Sequence, residues 1–93
     1  MADEIYATVF DAICDTAAEA ANLKVRAEIM LNIRELVKRW KVTEAEAAKR
    51  LGLTRPRLND LMRGKINKFS LDALVNIATA AGYLLQINMK KAA

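Results

Sequence analysis

Residues 43–64 read TEAEAAKRLGLTRPRLNDLMRG, a run that contains start and stop signals for two short helices. Thr43 begins the first helix as an N-cap with a glutamate three residues later, and Gly52 is expected to end it. Thr54 then caps a second helix, which we expect to run from Arg55 to Arg63. The link between the helices is only a few residues long, so they must cross at a steep angle.

The residue types in this run meet the packing requirements of such a crossing. Ala48 is small where the two backbones approach, and Gly52 tolerates the positive φ that a sharp turn needs. The apolar residues that can lock the two helices together are Ala47, Leu51, Leu53, Leu58 and Leu61. We therefore predict a helix-turn-helix, the alternative being an ordinary helical hairpin with a basic surface.

The second helix of this motif carries side chains that suit the major groove of DNA. Arg55 and Arg57 lie in its first turn, and an arginine can form two hydrogen bonds to guanine O6 and N7. We predict that both contact base edges or flanking phosphates. Asn59 and Asp60 are secondary candidates, for adenine and cytosine edges, and Asp60 is equally suited to a salt bridge within the helix.

The segment after this helix can supply contacts to the DNA backbone. Arg63, Lys65 and Lys68 offer positive charge, and a helix N-terminus at Ser70 offers free N–H groups. Two threonine hydroxyls act first as helix caps and second as phosphate donors. The predicted DNA-binding residues are Thr43, Thr54, Arg55, Arg57, Asn59, Asp60, Arg63, Lys65, Lys68 and Ser70.

Helical patterns flank the motif on both sides. Upstream, Thr16 caps a long helix that we expect from Ala17 to about Lys41. Its predicted core-facing stripe consists of Val25, Ile29, Ile33, Leu36, Val37 and Trp40. Downstream, a helix from Leu71 to Ala81 is expected to end at Gly82. Residues 16–82 are thus predicted to form one mainly α domain.

The periodicity changes after the last helix. Tyr83, Leu85, Ile87 and Met89 alternate with other residues, which predicts a β-strand over residues 83–90 with one buried face. A solitary strand leaves its hydrogen-bonding groups unpaired, and no other strong strand pattern exists in the chain. We therefore expect it to pair with the same strand of a second copy, forming a homodimer; pairing with the N-terminal arm is the alternative.

Composition excludes several classes of protein. The 93-residue chain has no histidine and one cysteine, so neither the common zinc sites nor the His-based nucleophile pairs can form. We expect no enzymatic activity and no cofactor. No apolar run approaches the roughly 18 residues of a membrane span, and no charged leader with an apolar region opens the chain, so we expect a cytoplasmic protein without membrane association.

Charge is distributed unevenly along the sequence. The net charge is +4, yet residues 1–23 contain five carboxylates and no lysine or arginine. Residues 1–15 form a predicted acidic N-terminal arm, which includes a short amphipathic helix. Its apolar face consists of Ile5, Val9, Phe10 and Ile13. Such a face could dock on a basic protein partner, pack within the chain or contribute to a dimer.

The chain resembles the Cro and phage-repressor-like helix-turn-helix family, also called the XRE family, over Thr43 to Gly82. More narrowly, residues 46–57, 61–66 and 69–74 look like antitoxins of HigA type, and residues 19–30 are similar to their long first helix. The resemblance implies a lambda-repressor-like helical bundle with a helix-turn-helix and a short C-terminal β-strand. It also implies a homodimer that binds a palindromic operator on double-stranded DNA and represses its own operon.

The same resemblance implies a protein partner, a basic ribonuclease toxin of the RelE/HigB-like type, which the antitoxin neutralises. Docking of such a toxin is predicted at the apolar face of the acidic arm. The alternatives are a stand-alone regulator without a toxin and, with no support from the residues, a small enzyme. Glu44 and Arg55 depart from the glutamines that relatives commonly carry, which disfavours a phosphate contact at residue 44 and shifts the expected base preference toward guanine.

Overall fold

The longest helix, α1, spans Ala17–Trp40 in a computed structural model that describes residues 16–92. It begins where predicted, because the Thr16 hydroxyl accepts a hydrogen bond from the Glu19 backbone N–H at 3.0 Å. It ends at Lys41, which takes the left-handed conformation with φ of 52°. The predicted bounds of this helix are therefore confirmed to within one residue.

Two short helices follow, α2 at Glu44–Leu51 and α3 at Arg55–Met62. The Thr43 and Thr54 hydroxyls cap them by accepting hydrogen bonds from backbone N–H groups at 3.2 and 3.3 Å. Gly52 ends α2 with φ of +68°, and the N–H of Leu53 closes the turn on the Ala48 carbonyl at 2.9 Å. These hydrogen bonds fix the crossing of α2 and α3, and the predicted helix-turn-helix is present.

The chain after α3 forms a 3₁₀ turn at Ile66–Lys68 and then helix α4 at Leu71–Ala80. Gly64 makes the turn out of α3 with φ of +74°. The positive φ favours glycine here, whereas a Cβ atom would lie 3.3 Å from Arg34 Nη1 and would require only a small shift of that side chain. The last helix ends one residue before the predicted Ala81.

All of these elements share one apolar core. The long α1 packs mainly against α4, while α2 and α3 pack against each other and against the same centre. No buried polar residue interrupts this core within residues 16–92. Its buried members are Ile29, Met30, Ile33, Ala47, Ala48, Leu51, Leu58, Leu61, Phe69, Leu74, Ile77 and Ala78.

The predicted core-facing stripe of α1 is correct in its centre and wrong at its start. Ile29, Ile33 and Leu36 are buried, but Val25 is exposed. The sequence also predicts that Leu23, Ala27, Met30 and Leu31 widen this stripe near the start of α1. Of these four residues, Leu23 and Met30 are buried, whereas Leu31 is exposed. Mainly helical architecture is nevertheless observed as expected.

The predicted C-terminal β-strand is not found. Residues 83–92 follow α4 without helix or strand, and no strand occurs elsewhere in residues 16–92. The physical reason is that a strand needs a ladder of backbone hydrogen bonds, and the described part of this single chain offers no second extended segment beside Tyr83, Leu85, Ile87 and Met89. The alternation of apolar residues thus correctly predicted that the helical structure ends before this segment, but the predicted strand is absent.

Two further predictions concern other parts of the chain. The acidic arm, with Ile5, Val9, Phe10 and Ile13, lies outside the described residues. Among the helices of residues 16–92, none is long and apolar enough to cross a membrane.

Candidate nucleic-acid interface

Helix α3 presents a polar face to solvent on the side opposite its core contacts. Leu58 and Leu61 anchor the helix in the core. The inward placement of these two leucines predicts that Pro56, Asn59, Asp60 and Arg63 point outward. Pro56, Asn59 and Arg63 are exposed as predicted, but Asp60 is half-buried. The exposed residues of α3 are thus accessible from the side opposite the core, as a helix that enters the major groove of DNA requires.

Arg55 is the most exposed of the predicted base-contacting arginines. Its Nη2 lies 3.1 Å from Oε2 of Glu44, and the two side chains are 66% and 76% exposed. The salt bridge joins the first residue of α3 to the first residue of α2. Such an exposed pair contributes little to folding stability, so Arg55 remains able to contact another partner.

Arg57 has a different environment from Arg55. Its Nη1 donates a hydrogen bond to the Lys68 carbonyl at 2.6 Å, and its guanidinium carbon lies 3.9 Å from the centroid of the Phe69 ring. Arg57 therefore ties α3 to the segment that precedes α4. Its predicted contact with DNA stays a prediction.

Asp60 is half-buried and pairs with two lysines. Its carboxylate oxygens lie 3.5 Å from Lys65 Nζ and 3.7 Å from Lys68 Nζ. The salt bridges run to the following loop, whereas the sequence suggested a partner within the helix. The carboxylate brings both lysines to one side of the loop, where the two ammonium groups can meet the DNA backbone together.

Arg26 is a residue of this region that sequence reasoning missed. From α1 its Nη1 donates to the Phe69 carbonyl at 3.1 Å, while its Nε donates to Asn22 at 2.7 Å. The loop 63–69 is thus held from two sides, by Arg26 and by Arg57. Only the four-residue spacing of Asn22 and Arg26 signals a local pair in the sequence, and nothing there indicates the distant carbonyl.

The predicted hydroxyl donors are all engaged as helix caps. Ser70 accepts a hydrogen bond from the Ala73 backbone N–H at 3.1 Å, in the same way as Thr43 and Thr54 at their helices. A hydroxyl that accepts in a cap keeps its own O–H hydrogen for donation. All three residues are exposed, so each can cap a helix and donate to a phosphate at once.

The structure gathers most of the predicted DNA-binding residues on α3 and the loop after it. Arg63, Lys65 and Lys68 lie at the C-terminal end of α3, while Thr54 and Arg55 lie at its N-terminal end. Thr43 stands apart, at the start of α2. No group of side chains that could hold a metal ion occurs in residues 16–92.

A protein-family model described as a helix-turn-helix domain matches residues 12–90. Because the match covers most of the chain, this protein belongs to that helix-turn-helix family. Membership supports a DNA-binding regulator and agrees with the exposed face of α3. The narrower resemblance to the XRE family and to HigA-type antitoxins stays a prediction. A comparison with curated proteins finds no match.

Proposed function

We propose that this chain is a homodimeric, sequence-specific repressor that binds double-stranded DNA through α3, and that it is not an enzyme. The proposal rests on the positions of two features of α3, the exposed Arg55 at its start and a basic loop at its end. Arg55 reads a base edge in the major groove, while Arg63, Lys65 and Lys68 hold the phosphates that flank it.

Replacing Arg55 with alanine is expected to weaken binding to the preferred DNA by about 1–3 kcal/mol for each half-site and to relax the preference at one base pair in each half-site. The measurement is selection from a duplex library with randomised central base pairs, followed by titration of the enriched sequence. The control is Lys38→Ala, which removes one positive charge from an exposed position on α1, outside both α3 and the groove lined by Tyr83 and Leu85. If binding to all sequences weakens equally, Arg55 contacts only a phosphate and does not read a base.

The dimer interface of the proposed repressor is formed by the segment after α4. Tyr83 and Leu85 line a shallow groove with Ile33 and Leu36 of α1. Beyond them Ile87 and Met89 are 80% and 94% exposed. A soluble monomer rarely exposes apolar side chains in a continuous row, and pairing with the same segment of a second copy would cover them.

Changing both Ile87 and Met89 to glutamate is expected to convert the dimer to a monomer, since two added charges on each segment would face each other across the interface. Light scattering after gel filtration measures the mass. Helix content should be unchanged, because both side chains are exposed in the single chain. The matched control is Gln86→Glu with Asn88→Glu, which adds the same charges at the alternate positions. A dimer that persists with glutamate at 87 and 89 would place the interface elsewhere.

The proposal extends to an antitoxin role, in which the acidic residues 1–23 bind a basic ribonuclease toxin of the RelE/HigB-like type. Support comes from the five carboxylates without a single lysine or arginine, and from the resemblance to short antitoxins. The role requires that Ile5, Val9, Phe10 and Ile13 serve as apolar anchors.

A growth assay tests this role. A protein encoded by a gene next to this one is induced alone, with the full chain, and with a variant carrying serine at Ile5, Val9, Phe10 and Ile13. Growth arrest that only the unaltered chain relieves would support the antitoxin role. A harmless neighbour would instead favour a stand-alone repressor.

A further inference from the structure

We propose that Glu44 is a positioning residue for Arg55, which directs the guanidinium to a base edge and away from the phosphate backbone. This inference rests on the proposed DNA-binding function. Its basis is the 3.1 Å salt bridge between Oε2 of Glu44 and Nη2 of Arg55, eleven positions apart in the chain. The pair links the N-termini of the two helices of the motif.

The salt bridge leaves Arg55 able to bind a base. A guanidinium has five N–H donors in a planar fork, and one edge of it suffices for guanine O6 and N7. Glu44 uses an Nη2 donor, so it can hold one side of the group while another side faces the groove. An arginine held in this way loses less conformational freedom when it binds than one that is free in solvent.

Charge explains why the restraint favours a base over a phosphate. Both carboxylates in the first turn of α2, Glu44 and Glu46, lie at a helix N-terminus that would otherwise attract a phosphate. Their negative charge repels the DNA backbone at this end of the motif. Beside Glu44, the charge of Arg55 is largely offset, which weakens its attraction to phosphates but leaves its directional hydrogen bonds to guanine intact.

The positive charge that holds the backbone is located elsewhere. Lys65 and Lys68 lie in the loop beyond the C-terminal end of α3, together with Arg63. Asp60 pairs with both lysines but offsets only one of the three positive charges, so a net charge of +2 remains in this loop. Phosphate binding and base reading are therefore assigned to opposite ends of the same helix. Glu44 keeps the two roles separate, because it prevents Arg55 from binding a phosphate.

The test compares Glu44→Gln with Glu46→Gln. Both substitutions remove one negative charge from the first turn of α2, but Glu46 pairs with Arg50 on its own helix at 3.2 Å and not with α3. Each variant and the unaltered protein are used to select from a duplex library with a randomised centre. Binding to calf-thymus DNA, measured over a range of salt concentrations, reports sequence-independent affinity.

We expect Glu44→Gln to lower the guanine preference at the position read by Arg55 by about 5–10-fold, within the range expected when an arginine no longer forms both hydrogen bonds to guanine. Binding to calf-thymus DNA should tighten several-fold, with a salt slope steeper by about 0.9 for each Arg55 that binds a phosphate instead, or about 1.8 for the dimer. Glu46→Gln should leave the guanine preference unchanged. An unchanged preference in Glu44→Gln, or an equal decrease in both variants, would overturn the positioning role.

Failure of the inference and failure of the proposed function give different results. If the unaltered protein enriches no sequence, the DNA-binding proposal fails and the positioning role fails with it. Suppose instead that the unaltered protein enriches a guanine-containing sequence. If Arg55→Ala then shows no preference for this guanine and Glu44→Gln shows the same preference as the unaltered protein, Arg55 reads the base. In that case only the role of Glu44 is rejected.

Discussion

Replacing Phe69 with alanine is expected to lower the free energy of unfolding by about 3–5 kcal/mol. Phe69 is only 1% exposed and is among the largest fully buried side chains of residues 16–92. Its ring also supports the Arg57 guanidinium at 3.9 Å. Because small domains are stable by only about 5–15 kcal/mol, this decrease would leave a measurable unfolded fraction under mild conditions. Urea unfolding followed by circular dichroism measures the change.

The matched control for this prediction is Leu31→Ala. Leu31 is 55% exposed on α1, so its truncation should change the free energy of unfolding by no more than about 0.5 kcal/mol. A Phe69→Ala variant as stable as Leu31→Ala would mean that the segment between α3 and α4 does not depend on this ring. The proposed anchoring of the basic loop would then lose its main support.

Raising the salt concentration is expected to weaken DNA binding by about 10³–10⁵-fold between roughly 50 and 200 mM, if the dimer neutralises about six to ten phosphates. Arg63, Lys65 and Lys68 of two copies supply positive charges at the lower end of that range. Each neutralised phosphate releases a condensed counterion, and salt opposes that release. Fluorescence anisotropy with the selected duplex measures the slope.

Replacing Lys65 and Lys68 with alanine tests which residues neutralise these phosphates. The salt slope should decrease by about 0.9 for each phosphate that is no longer neutralised, with similar weakening on every sequence. A nearly flat salt response of the unaltered protein would contradict the electrostatic account. A slope that both substitutions leave unchanged would place phosphate binding on another surface.

The helices were predictable from local signals in the sequence. Thr16, Thr43, Thr54 and Ser70 each accept the backbone hydrogen bond expected of an N-cap, and the caps set the start of every α-helix in residues 16–92. A cap depends on residues within one turn, so a single sequence contains the information needed. The exposed face of α3 followed in the same way from the leucines that anchor it.

The interactions that organise the candidate site were not predictable, because they join residues on different elements of the structure. The packing of Arg57 on Phe69 and the salt bridges from Asp60 to the loop depend on how tightly the chain turns at Gly64. The hydrogen bond from Arg26 to the Phe69 carbonyl spans 43 positions. Residue type alone cannot distinguish such an arginine from one that is exposed to solvent.

The strand predicted for the C-terminal segment was wrong for a different reason. Alternating apolar residues from Tyr83 to Met89 indicate a segment with two unlike faces, but a strand also requires a neighbour with which to pair. Within residues 16–92 no such neighbour exists. The proposed pairing with a second copy would supply such a neighbour.

The most direct test of the central claim is an NMR titration of the ¹⁵N-labelled full chain with the selected duplex. The account predicts that the largest changes in amide shifts occur at residues 54–59 and 63–70, with residues 83–92 little affected. Changes confined to residues 83–92 and the adjoining groove of α1, with α3 unaffected, would contradict DNA binding through α3.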